Sequence, residues 1–445
     1  MSKQAPEHGI VISHRAILLG LVVGAVAGVV AHALFANTPW LVAFVDRVTE
    51  PLGRLFLRLI FMIVLPLVFS ALTLGVSGFG DLASLGRVGI KTLLVTVVTS
   101  AASVATGIFL VNLLRPGDAL SEEARAALLA ATGHVDSGLT GNPTPVGLNV
   151  LTQLIPDNPV RAAAQGEMLP VMVFALLFGL GLARAPKNAA TVLVAWLEGV
   201  YEVAIQVVGF AMRLAPLGVA CLMFTLTARM GVEVLQPLAG YVAVVLLGLA
   251  LHLVVTYSAL LRLFTSWSPG AFLRAVRPVV VTAFSTSSSN ATLPTTLEVA
   301  RRELQVPRDI AGFVLTLGST TNQHGTALFE GVTVLFLAQF FGVELSLSQQ
   351  LLVVGMAVLA GIGTAGVPAG SLPLIVPVLV TVGVPAEGIG VILGVDRFLD
   401  MCRTVINVVG DLVVAVVIAA WERRSTEEAT AAVGGQADRL PPAAD

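Results

Sequence analysis

Apolar residues run through this chain in blocks too long for an ordinary soluble core. The first, residues 16–36, matches the roughly 20 residues that cross a bilayer. It exceeds the roughly 7–15 residues of a signal-peptide core, so a retained first span is expected although it ends "HALFA". Further apolar stretches occupy 55–74, 92–114, 168–182, 203–224 and 235–263. Residues 116–159 turn to Gly, Asn, Pro and Ser, which predicts a surface excursion leading into a broken fourth span.

After Trp267 the pattern changes. "FSTSSSNATLP" (284–294) and "GIGTAGVPAGSLP" (361–373) interrupt apolar flanks that are each too short for a span. Irregular backbone at membrane depth survives only inside protein or beside a watery cavity, so the two breaks predict two re-entrant hairpins. Each is followed by a similar fragment, "NQHGT" (322–326) and "NVVGD" (407–411). Asn and Gly interrupt helices, so a broken helix is expected after each hairpin. Hairpin then broken helix, twice over, is the pattern of an inverted-repeat transporter with its site at the repeat interface.

"VDRFLDMCRTVINVVGD" (395–411) carries the densest polar chemistry. At roughly 100° per residue, Asp396, Asp400, Arg403, Asn407 and Asp411 fall within an arc of about 80°, with Thr404 at its edge. Charges at the bilayer centre cost at least roughly 2.5–3.5 kcal/mol each, so this face turns inward. Two readings fit it: a structural ion-pair network between Asp400 and Arg403, or a binding site that also uses the oxygens of Thr404, Asn407 and Asp411.

Composition narrows the class. Of 445 residues, 56% are hydrophobic and 12% charged, with mean hydropathy +0.91. That is half the charge of a soluble domain and points to an all-α polytopic membrane protein. A net charge of −2 without a basic cluster gives no footprint for nucleic acid. Cys221 and Cys402 are too few for a disulfide framework or a metal site. Most Lys and Arg fall on one side if both termini are cytoplasmic, with Arg47, Arg54, Arg58, Arg115 and Arg125 against that orientation. The tail, 421–445, is polar and low in complexity and is expected to be disordered.

Several segments together resemble the dicarboxylate/amino acid:cation symporter family, which includes glutamate and neutral amino acid transporters. They are "FLRLIFMIVLPLVFSAL", "LIPDNP", "GEMLPVMVFALLFG", the serine-rich hairpin, "NQHGTALFE", "GTAGVPAG" and "DMCRTVINVVGD", and they cover nearly the whole chain. The resemblance implies a homotrimer embedded in membrane lipid, eight transmembrane helices and two re-entrant helical hairpins per subunit, and elevator-type transport. It assigns 1–88 to scaffold spans 1–2, 89–115 to transport-domain span 3, and 116–234 to scaffold spans 4–5 with an extracellular loop. Residues 235–420 become the rest of the transport domain. The implied location is a bacterial or archaeal inner membrane. No enzyme activity or cofactor is implied, only sodium ions, protons or both as coupling ions.

Site roles follow from the same resemblance. Ser289 would contact the substrate carboxylate by its side chain, with Ser287 and Ser288 offering backbone; the alternative is a serine turn that merely caps the hairpin helices. Asp400 would hold the α-amino group and Arg403 the side-chain carboxylate, with Thr326, Thr404 and Asn407 completing the contacts. The second hairpin, around Val367, would gate the site. One sodium would sit on Asp411 with carbonyls of Gly318, Asn322 and Asn407. A second would use carbonyls of Thr320, Gln323 and the strip 361–364, including Gly361, Ile362 and Thr364.

The chain departs from the family pattern at three places. His324 replaces an aspartate that helps hold a further sodium together with Asn322, Thr99 and Ser100. Ser371 replaces a glycine at the second hairpin tip. Ser287 stands where some microbial members carry Arg, while Arg397 lies one turn from where it could substitute. Glu330 matches a glutamate that carries a proton in mammalian glutamate transporters. A proton on His324 or Glu330 therefore replaces the third sodium, or His324 is a neutral filler bonded to Thr99 or Ser100 with Glu330 facing a polar crevice.

An acidic amino acid is the expected substrate, because a plain dicarboxylate would leave Asp400 without an ammonium and a neutral amino acid would leave Arg403 unpaired. C4-dicarboxylate or neutral amino acid symport are the alternatives. A channel would show a pore-lining ring rather than a zwitterion cluster. An intramembrane hydrolase pairing a hairpin serine with His324 lacks a G-x-S-x-G elbow.

Overall fold

The computed structural model describes residues 14–36, 38–77, 87–120, 155–165, 168–364 and 370–437; among these, every regular element is helical. The first helices are α1 (His14–Phe35), α2 (Glu50–Phe61), α3 (Val64–Ser77), α4 (Arg87–Leu114), α5 (Met168–Arg184) and α6 (Lys187–Met230). Then come α7 (Leu235–Leu251) and α8 (Ser258–Phe264), joined by a π-helical turn, His252–Tyr257. The remainder are α9 (Arg277–Thr286), α10 (Ser289–Arg302), α11 (Arg308–Thr321), α12 (His324–Phe341), α13 (Leu347–Gly363), α14 (Leu372–Thr381) and α15 (Ile389–Ala437).

Six helical runs among the described residues are long and apolar enough to cross a membrane: Pro39–Leu74, Val88–Ala119, Lys187–Ala211, Arg213–Phe264, Arg308–Phe341 and Ala386–Arg423. Leu19–Phe35 and Pro170–Arg184 are shorter apolar helices, as are Leu347–Ile362 and Leu372–Thr381.

α1 packs along α6 through Gly20, Gly24 and Gly28, one residue per helical turn on one face. A Cβ on Gly24 would come within 2.9 Å of the Ala220 Cα, so these glycines let two backbones touch. Without a hydrophobic drive between helices in lipid, such close van der Waals contact is what associates them. α6 also packs on α2 and α3, and α3 on α5. Around α12 the surroundings are protein on every side: α4, α7, α13 and α15 enclose it, and all its residues except Gln339 are buried. A helix that is apolar all round belongs in such a position.

Where the two hairpins were expected, the described residues form the helix pairs α9–α10 and α13–α14, whose members touch; residues 365–369 of the second lie outside the described residues. The first expected break is present, since α11 ends at Thr321 and α12 begins at His324. The second is not: α15 runs unbroken through Asn407 and Asp411. Gly410 there makes room for the Tyr257 hydroxyl and the His324 ring, which a Cβ would strike. Asn407 turns its amide to another helix and does not compete with its own backbone. Within the tail expected to be disordered from 421, α15 continues to Ala437, and 438–445 lie outside the described residues. Its Glu, Arg and Ala are strong helix formers and no proline intervenes. Likewise α6 extends well beyond 203–224, since charges such as Glu198 and Arg229 end a hydrophobic stretch without ending a helix.

Candidate functional site

The first hairpin reverses at Ser287, a non-glycine residue held at φ 49° in the left-handed region. Such a backbone is sparsely populated and marks a position over-determined by its surroundings. Ser288 follows as the N-cap of α10, its hydroxyl accepting from the Ala291 N–H at 3.2 Å. The capping alternative therefore describes Ser288. Ser289 is the first residue of α10, where backbone N–H groups have no partner within the helix. The Ser287 hydroxyl is buried and has no partner.

Opposite stands the start of α12. Its exposed N–H groups are capped from α15: Asn407 Oδ1 accepts from Gly325 N at 2.7 Å and Thr326 N at 3.2 Å. The Asn407 amide donates to Gln323 Oε1 at 2.5 Å and Thr326 Oγ1 at 3.0 Å. One side chain thus ties the α11–α12 break to the polar face of α15.

These pieces enclose a cavity lined by Ser287, Ser289, Gln323, Thr326, Thr364 and Gly370, and by Ser371, Asp400, Arg403, Thr404 and Asn407. Its volume is about 10 Å³, room for a single water. A larger ligand enters only if a wall moves. Gly370 and Ser371, at the start of α14, form the side contributed by the second hairpin, and the Ser371 hydroxyl is buried without a partner. Val367 lies outside the described residues.

The charges beneath the cavity form a chain. Arg403 donates from Nε to Asp400 Oδ1 at 3.1 Å and from a terminal nitrogen to Asp396 Oδ1 at 2.9 Å. Arg397 donates to Asp400 Oδ2 at 3.0 Å. All four side chains are buried, and the Arg403 guanidinium also lies 4.1 Å from the Phe329 ring centre. The Asp400–Arg403 ion pair is therefore real, and it also faces the cavity, so the two sequence readings of this helix are not exclusive. One step of the substrate argument is corrected: Asp400 would not be left without a cation by a ligand lacking an ammonium, because Arg397 already pairs with it.

About two turns beyond Arg403, Asp411 Oδ1 accepts from Asn322 Nδ2 at 2.7 Å. Asn322 Oδ1, buried alongside, has no partner. A Cβ on Gly318 would come within 2.5 Å of Asp411 Oδ1, so only glycine lets the carboxylate approach α11 this closely. Of the expected cation carbonyls, that of Gly318 accepts from Asn322 N at 2.9 Å, and that of Asn407 lies in an uninterrupted helix. Gln323 O lies beside Gly361, while Ile362 and Thr364 are buried next to it and the Thr320 side chain is exposed.

His324 does not bond Thr99 or Ser100. The Tyr257 hydroxyl donates to Ile406 O at 2.8 Å, so its oxygen accepts from His324 Nδ1 at 2.9 Å. That assigns the proton to Nδ1. From α4, the Ser103 hydroxyl donates to His324 O at 2.7 Å. Glu330 is fully buried, and neither carboxylate oxygen has a partner.

Residues 14–421 match the description of the sodium:dicarboxylate symporter family. The chain belongs to that family. It is 34% identical over 413 residues to the proton/glutamate-aspartate symporter of Escherichia coli (strain K12), covering 92% of each chain. It is 33% identical over 407 residues to the proton/sodium-glutamate symport protein of Bacillus subtilis (strain 168), covering 91% of this chain and 92% of the other. A C4-dicarboxylate transport protein of Rhizobium johnstonii is 32% identical over 402 residues, covering 88% of each. In this member of the symporter family, sequence reasoning missed Tyr257 and His252, whose rings pack beside His324. A histidine and tyrosine within "HLVVTY" inside a long apolar run were the available signal.

Proposed function

We propose that the protein is a secondary active symporter that takes up an acidic amino acid, aspartate or glutamate, coupled to sodium. The observation carrying this reading is the cavity where Arg403, Asp400, Ser289 and Asn407 converge between the starts of α10, α12 and α14. Arg403 receives the side-chain carboxylate, for which a planar guanidinium supplies two parallel donors. Asp400 receives the ammonium. The N–H groups at the start of α10, with the hydroxyls of Ser287 and Ser289, receive the α-carboxylate, and Thr326 and Thr404 complete the wall. Hairpin α13–α14, including Val367, acts as the gate.

Sodium sits between Asp411 and Asn322, supported by the unpartnered Asn322 Oδ1 beside a carboxylate. A second ion uses the strip from Gln323 to Gly361, Ile362 and Thr364. A proton accompanies transport on Glu330, which has no competing donor; Arg403 is the charged group it senses, and Tyr241 of α7 packs beside the neighbouring Phe329.

The chain works as an inner-membrane homotrimer with both termini cytoplasmic and eight spans. Residues 1–88 and 116–234 form the scaffold, and 89–115 with 235–420 form a moving transport domain. The close packing of α1, α2, α3 and α5 with one another or with α6, and of α4 and α7 on α12, supports that division. Counterflow uptake of labelled aspartate into proteoliposomes, with sodium and pH gradients imposed separately, tests the reading. No sodium-dependent uptake of aspartate or glutamate would overturn it.

A further inference from the structure

Ser371 precedes α14 and lines the cavity from the second helix pair, yet the proposed binding scheme gives it no task. The residue is 1% exposed, and its hydroxyl has no hydrogen-bond partner. An unmet buried polar group is costly and uncommon, so it calls for a physical reason.

That reason starts in the local sequence. A serine before a helix ordinarily caps it, its oxygen accepting from the second or third helical N–H. In "SLPL" (371–374) the second helical residue is Pro373, which has no N–H. The third, Leu374, donates instead to the Ser371 carbonyl at 2.9 Å, and Ile375 N donates to the same oxygen at 3.3 Å. Ser371 also has φ −86° and ψ −23°, helical values and not the extended ones of a capping serine. Ser288 shows the contrast: it is extended, and its hydroxyl accepts from Ala291 N at 3.2 Å. The Ser371 hydroxyl is therefore not a cap, and its hydrogen-bonding capacity is left for something outside its own helix.

We propose that Ser371 is a further substrate-contacting residue of this site, whose hydroxyl donates to a carboxylate oxygen of the bound ligand. This rests on the proposed reading that the cavity takes an acidic amino acid. An ionised carboxylate offers about four acceptor positions. Arg403 fills two of them at one end of the ligand, so acceptors remain for a donor on the α14 side. A hydroxyl bonded to a charged acceptor is also stronger than one bonded to a neutral group. Ser287 carries the same unpartnered hydroxyl, so each helix pair brings one free donor to the same cavity.

This role predicts effects that a structural hydroxyl would not produce. In the ligand-free protein the Ser371 hydroxyl makes no bond, so deleting it removes only a desolvated polar group. In the complex the same deletion removes a hydrogen bond. Binding should weaken while the fold does not.

The test compares wild type with Ser371→Ala and Ser371→Gly in detergent. L-aspartate affinity is measured by calorimetric titration in sodium, and thermal unfolding and apparent sodium affinity are measured without aspartate. Aspartate affinity is expected to fall about tenfold or more in both variants. Ligand-free Ser371→Ala is expected to unfold at the wild-type temperature or above it, with sodium affinity unchanged. Wild-type aspartate affinity in both variants overturns the proposal. A lowered unfolding temperature in ligand-free Ser371→Ala overturns it too, because the hydroxyl would then serve the fold. Alanine is smaller than serine, so failure of that variant to fold has the same meaning. Wild type that binds neither aspartate nor glutamate refutes the acidic-substrate reading itself, and the role of Ser371 falls with it.

Discussion

Asn407 on α15 caps α12, a different helix, by accepting the Gly325 N–H at 2.7 Å. The residue that looks like a helix breaker in sequence is therefore the clamp that holds another helix's start against the cavity. Asn407→Ala should lower thermal stability by the about 1–2 kcal/mol that a lost N-cap costs. It should also weaken aspartate binding, because Gln323 and Thr326 lose their shared partner. Thermal unfolding of detergent-solubilised protein and aspartate binding measure the two effects. Unchanged binding in a destabilised variant would reduce Asn407 to a cap.

Asp411→Asn is expected to reduce apparent sodium affinity by about tenfold or more while leaving the fold intact. Gly318→Ala should reproduce part of that loss, because the new methyl would displace the Asp411 carboxylate. Uptake driven equally well by a proton gradient without sodium would refute the assignment.

Removing Arg403 alone strips Asp396 of its partner as well as the cavity of its guanidinium. Breaking a buried pair from one side costs about 3–5 kcal/mol, so substrate selectivity is best read in an Asp396→Asn background. There, Arg403→Cys should abolish aspartate uptake and admit serine or alanine. Retained aspartate uptake would show that another group holds the side-chain carboxylate.

Glu330→Gln should flatten the pH dependence of uptake and abolish proton movement with substrate. His324→Asp tests the other candidate and should leave the pH profile in place, since His324 is engaged by Tyr257. Wild-type uptake that is already flat from roughly pH 5.5 to 8, the span over which an ordinary histidine changes charge, would exclude both.

Gly24→Leu should separate α1 from α6 and lower the yield of folded protein, since Gly24 meets the Ala220 backbone directly. Overpacking of a close contact costs about 1–3 kcal/mol. Size-exclusion profiles of wild type and variant compare the two, and an unchanged profile would show that the α1–α6 contact is dispensable.

The sequence by itself determined the membrane class, the helical architecture, the first helix break and the inward face of α15. Those features are local: apolar length sets a span, Gly and Pro density sets a break, and a 100° step sets which side chains share a face. It could not say what stands opposite each face. Whether "NVVGD" breaks its helix depended on Gly325 offering Asn407 an orphan N–H, and the helix stayed whole. Whether Asp400 lacks a cation depended on Arg397 reaching forward along α15 to it. Whether His324 meets Thr99 or Tyr257 depended on the π-helical turn that carries Tyr257 beside α12. Each of these is a choice of hydrogen-bond partner between segments distant in the chain or between competing rotamers. Only the packing of α12 among its neighbours makes that choice.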